Sequence, residues 1–247
     1  MAGLLAAAAV AGCHDGERRT VPSPKDPREQ AVASVARNAA ASPELDAAFA
    51  AAFGQKPPAM RQVSRGGETI LLSYRPMQLI EAAGRLVLIS GGRTDGCHGC
   101  TGALAITYLE RAPGGAYRPI GNWPEIIEGS SWGEPPDWSR RDDLFAGPAI
   151  EARGGGTWQG CTVEQADLIE LTPRRPEVRA RRILTAYDAS GQSERAGGGA
   201  LEGRIASLEP GSAFVVTYSG ALNARVVWRR AGTAYAPTGH YPPLPEC

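Results

Sequence analysis

The chain has 247 residues, and its 26 basic side chains are balanced by 26 acidic ones. That balance leaves no net field to draw it to nucleic acid or to an anionic surface, and the length suits one sizeable core better than two full domains. Gly and Pro, 31 and 20 in number, argue against a mainly helical protein and for many short strands joined by turns.

Taken in chain order, the first feature is a short apolar run over residues 4–11, too brief to span a bilayer, ending in Val10-Ala11-Gly12-Cys13. An aliphatic residue, two small ones and a cysteine after an apolar run resemble the lipobox of bacterial lipoproteins. The resemblance implies a signal peptide over 1–12 and a lipidated Cys13 as the mature N-terminus, inserted in the membrane. Where an Asp after that cysteine favours inner-membrane retention, this chain has His14, so the implied location is the periplasmic side of the cell envelope, with the outer membrane favoured. An exported chain sits in an oxidising compartment, and Cys97, Cys100, Cys161 and Cys247 are then four candidates for two disulfides, with three connectivities open.

Residues 13–25, with Pro22 and Pro24, read as a flexible tether. A helical segment over 26–55 follows. Asp26-Pro27-Arg28-Glu29 carries a helix-start signature and predicts a helix to about Ala40; Ser42-Pro43-Glu44 repeats the signature. Behind it, Leu45, Ala48, Phe49, Ala52 and Phe53 form one apolar stripe that stops at Gly54, and the opposite face is not basic, so this helix is expected to pack on the rest of the domain.

The region 57–247 is predicted to be β-rich. Strand-like runs bounded by Gly, Pro, Asp or Asn lie at 69–74, 78–81, 85–90, 103–110, 116–120, 165–171, 178–187, 201–208, 213–218 and 224–230. The expected fold is mainly β: an antiparallel sandwich, barrel or set of blade-like sheets built from hairpins, with two short N-terminal helices. An internal match supports hairpin construction. Residues 111–124 and 230–242 both run Arg-Ala, a glycine turn, Ala-Tyr, then Pro, Gly and Pro at matching places, with Trp123 opposite Tyr241. Because proline cannot donate to a ladder, each return strand should lie or end at a sheet edge.

Between the two copies, residues 122–160 read as a long irregular stretch holding Trp123, Trp132, Trp138 and Trp158. These indoles either form the stretch's own small core or present a surface that stacks on sugar rings or covers an apolar patch of a partner. The segment Arg153-Gly-Gly-Gly-Thr-Trp-Gln-Gly-Cys161 is no phosphate-binding loop, for it lacks the Gly-Lys-Ser/Thr ending and a following helix.

The densest chemistry lies in Asp95-Gly-Cys-His-Gly-Cys-Thr-Gly102. Disulfide bonding of Cys97 and Cys100 is the leading reading. A metal site with Cys97, His98 and Cys100 as ligands is the alternative, suited to zinc or Cu(I), although no second close cysteine pair completes it. Thiol exchange would need the pair at a helix N-terminus, whereas a strand-like run follows, and haem attachment would need His where Thr101 stands. There is no Gly-x-Ser-x-Gly elbow and no His-Glu-x-x-His helix, so no enzyme and no cofactor are expected. The expected function is that of a non-enzymatic binding module of the cell envelope. Its surface would be the Trp-containing stretch and the Cys turn, and its partners the membrane through Cys13 and an envelope protein or glycan. A periplasmic metal-binding or redox protein centred on the turn is the second expectation.

Overall fold

The computed structural model describes residues 42–95, 98–191 and 199–239, so the leader, the tether, the first expected helix, Cys97, Tyr241 and Cys247 lie outside it. The expected second helix is α1, Pro43–Phe53, with Pro at its start and Gly54 in the left-handed conformation closing it. Ser42 makes no side-chain cap, and Glu44 does not fold back either. Its carboxylate instead accepts from Tyr117 Oη at 2.7 Å and Arg111 at 2.6 Å, and these bonds, Tyr117's first, hold its pKa below the usual range. The stripe of Leu45, Ala48, Phe49 and Phe53 is buried, each of the three large side chains worth about 1.5–3 kcal/mol.

What the helix covers is one face of a five-stranded antiparallel meander: β1 (Ala59–Arg65), β2 (Glu68–Ala82), β3 (Arg85–Arg93), β4 (Ala103–Arg111) and β5 (Tyr117–Glu128). In β3 and β4 nearly every residue is buried, because both faces are covered. Leu88, Ala103, Ala105 and Leu109 alternate toward the helix. Val87, Ile89, Leu104, Ile106 and Tyr108 point the other way, into a cluster shared with Ile150, Ala152, Ile169 and Leu171 of the second sheet.

That second sheet is an eight-stranded antiparallel meander of β6 (Asp137–Arg140), β7 (Ala149–Trp158), β8 (Cys161–Leu171), β9 (Pro176–Asp188), β10 (Ala200–Glu209), β11 (Ala213–Gly220), β12 (Ala224–Ala231) and β13 (Ala234–Thr238). It curls, since β13 touches β9 and one apolar cluster, including Leu168, Ile183, Phe214, Val216, Trp228 and Tyr235, fills its concave side. Charge is also buried there. Glu151, only 2% exposed, is clamped between Arg141 and Arg153, and Arg141 also pairs with Asp143 at 2.8 Å. Thus β7 and β8 serve two cores, one on each face.

Three differences from the expected elements have physical reasons. Runs 69–74 and 78–81 are one strand, β2, with Pro76 tolerated because the register shifts between Pro76 and Gln78. Strand β1 was not expected; it is a sheet edge with alternately exposed residues and little apolar signal. Most of the stretch 122–160 is not irregular, being occupied by the rest of β5 and by β6 and β7, where Gly154-Gly155-Gly156 extends as strand. Pro119 and Pro124 fit in β5 because it is the last strand of its sheet. The internal match corresponds to the β4–β5 and β12–β13 hairpins, with Arg111 opposite Tyr117 and Arg230 opposite Tyr235, and both return strands are sheet edges.

Candidate functional site

The crossover from β5 to β6, residues 129–136, is bonded on one side to the Cys turn and on the other to β7. Gly133 N–H donates to the Cys100 carbonyl at 2.8 Å, Gly102 N–H to the Glu134 carbonyl at 3.1 Å, and Ser131 N–H to the Gly155 carbonyl at 2.8 Å. This approach requires bare backbone. A Cβ at Gly102 or at Gly129 would run into the Glu134 carbonyl, and one at Gly156 into the Ser131 side chain. Arg65, at the end of β1, fastens the turn from below: its guanidinium donates to Thr101 O at 2.7 Å, Thr101 Oγ1 at 2.8 Å, Gly102 O at 3.0 Å and Glu125 at 2.7 Å.

Held this way, the His98 ring lies tilted by 33° against Trp132 at 4.5 Å and by 31° toward Trp158 at 6.3 Å, and its Nε2 donates to the Thr157 carbonyl at 2.7 Å. Trp132 and Trp158 are 57% and 40% exposed, so the three rings make an open aromatic shelf. Trp132 has φ 62°, a conformation L residues avoid. Strain of this kind clusters at functional positions.

Beside the shelf lies a cleft of about 530 Å³, within the range of small-molecule sites. Trp158, Ile127 and Ala152 supply its apolar wall, Gly129, Gly154 and Gly155 its backbone floor, and Thr101, Ser131, Glu128, Gln165, Asp167, Arg181 and Arg182 its polar groups. Arg182, at φ 55°, donates its N–H to Asp167 at 2.6 Å and its Nε to Gln165 at 3.3 Å. Burial, with a smaller push from Glu128, raises the Asp167 carboxyl above its ordinary value despite the N–H bond and both arginines.

The four tryptophans divide. Trp123 packs edge-on against Tyr108 at 5.2 Å and, with Trp138, belongs to the core between the sheets, while Trp132 and Trp158 form the shelf. Cys100 and Cys161 are disulfide-bonded, so Cys100 offers no thiolate in this state, and among the described residues no three His, Cys, Asp or Glu side chains converge as metal ligands. Cys161 is fully buried on the concave side of the curled sheet. The sequence reading missed Arg65, Glu128, Asp167, Arg181 and Arg182. One signal was available: Asp167 and the Arg181-Arg182 pair are charges inside runs otherwise read as strands.

No family model, curated protein or solved structure matches the chain.

Proposed function

We propose that the protein is a cell-envelope lipoprotein, anchored through Cys13, that acts as a non-enzymatic binding module with the shelf of Trp132, His98 and Trp158 and the adjoining cleft as its recognition surface. The observation that carries this reading is two exposed indoles flanking a histidine beside a polar-lined cleft. An exposed indole gives up burial that a folded chain would normally take, and rigid aromatic surface next to concave polar surface is the usual composition of a binding site. The lipobox at 10–13 supports the anchor, and the disulfides of Cys100 and Cys161 suit an oxidising compartment.

The test uses the full secreted chain with Cys13→Ala, which removes the anchor and leaves any retention on a cell-envelope fraction to the domain. Saturable retention that is lost in Trp132→Ala/Trp158→Ala is expected. Retention that is absent, or unchanged in the double variant, refutes the reading. For the anchor, wild-type chain should partition with membranes and Cys13→Ala should not.

A further inference from the structure

We propose that the ligand of this site is a neutral β-linked pyranose chain, a sugar face lying on the shelf and its hydroxyls hydrogen-bonded in the cleft. The inference rests on the binding-module reading and names its ligand class. A pyranose with equatorial substituents has two flat C–H faces that match an indole, and an edge of hydroxyls that each donate and accept. The shelf supplies the first complement through Trp132 and Trp158. The cleft supplies the second, because it offers acceptors and donors that no other described residue uses. Glu128 and Arg181 have no hydrogen bond or ion pair among the described residues, and Ser131 Oγ, on a residue only 6% exposed, has no partner there either. Gln165, whose Oε1 already accepts from Arg182, adds the two donors of its amide nitrogen.

Charge narrows the class further. Glu128 and Asp167 offset Arg181 and Arg182, so the cleft has no formal charge to select a polyanion. A protein partner is disfavoured for a related reason. Protein hot spots are desolvated apolar pockets, whereas this cleft is lined by four charged side chains whose bound water sugar hydroxyls can replace one for one.

The test titrates chitotetraose and cellotetraose into the full secreted Cys13→Ala chain by calorimetry, and adds each as competitor in the envelope-retention assay. Binding of at least one tetrasaccharide is expected, with competition of retention, a loss of about tenfold or more in Trp158→Ala, and a clear loss in Glu128→Gln. Both substitutions fall on exposed side chains, and an unchanged urea midpoint confirms that the fold is intact. Absence of binding by both sugars up to about 1 mM overturns the proposal. If retention then still depends on Trp132 and Trp158 and is abolished by protease treatment of the envelope, the module binds a protein and only the glycan assignment falls. If retention does not depend on the two tryptophans, both readings fall together.

Discussion

Replacing Arg65 by alanine removes the side chain that ties the first strand of the helix-covered sheet to the Cys turn. Its side chain is 13% exposed and that of its partner Glu125 27% exposed, so this is a half-dry ion pair rather than a surface one. Hydrogen bonds to a charged group contribute about 1.5–3 kcal/mol each, but these share one side chain and do not add. Two of the acceptors keep alternatives, since Gly102 O still receives the Gly129 N–H at 2.9 Å and Glu125 can rehydrate. Thr101 O is the group left without its donor. Breaking a fully buried pair costs about 3–5 kcal/mol, and discounting for those alternatives gives about 3 kcal/mol here. For a domain of this size that is roughly 6–12 °C in Tm. Arg65→Lys keeps the charge but not the fork that reaches Thr101, Gly102 and Glu125 together, so it should recover only about 1 kcal/mol. Urea denaturation at constant slope measures both. A loss below about 1 kcal/mol for alanine, or full rescue by lysine, refutes the view that this fork holds the turn.

Three further substitutions test other parts of the structure. Glu151→Gln leaves Arg141 and Arg153 without their buried counter-ion and should cost about 2–4 kcal/mol, nearly independent of salt by urea denaturation, because the carboxylate is 2% exposed. Gly102→Ala puts a methyl against the Glu134 carbonyl and should abolish envelope retention while costing about 1–3 kcal/mol, read by the retention assay and urea together. Asp167→Asn tests the sign of a titration: the folded carboxyl is raised above its ordinary 3.8, so its contribution to stability is full below that value and declines as pH rises through the folded pKa. The variant should therefore gain on the wild type toward neutral pH and converge with it in acid, and the reverse trend in a pH series of urea midpoints refutes the assignment.

The β class and the hairpin plan were readable because they rest on local rules. Proline at 119, 124 and 237 marked sheet edges, and the stripe from Leu45 to Phe53 marked a helix that packs. The division into two sheets was not readable. It depends on β7 and β8 burying alternate residues in two different cores, which in sequence is only a weak mixture of Ala, Gly, Ile and charge. Glycine hid β7: Gly154-Gly155-Gly156 reads as loop by propensity and is strand because the crossover loop lies against it. For the site, the Cys turn and the tryptophans were each visible, but not their meeting, which is made by backbone hydrogen bonds from 129–136 that carry no side-chain signature. Equally invisible was which indoles are core: Trp123 and Trp138 lie on strands against the core between the sheets, whereas Trp132 sits in the crossover and Trp158 at the exposed end of β7.

Trp132 offers the sharpest separation of function from fold. At φ 62° a tryptophan carries about 1 kcal/mol or more of backbone strain, and at 57% exposure it regains little by burial. Its only aromatic contact within the described residues is His98 at 4.5 Å. Glycine relieves the strain, loosens the unfolded chain by a comparable amount and forfeits the ring contact, so Trp132→Gly should change stability by no more than about 1 kcal/mol either way. A tryptophan kept for the fold would instead cost about 3–5 kcal/mol on truncation. If the side chain is retained for what it meets outside the protein, envelope retention collapses in Trp132→Gly while the urea midpoint barely moves. A variant that unfolds instead makes the shelf a piece of the core and removes the reason for proposing a site there.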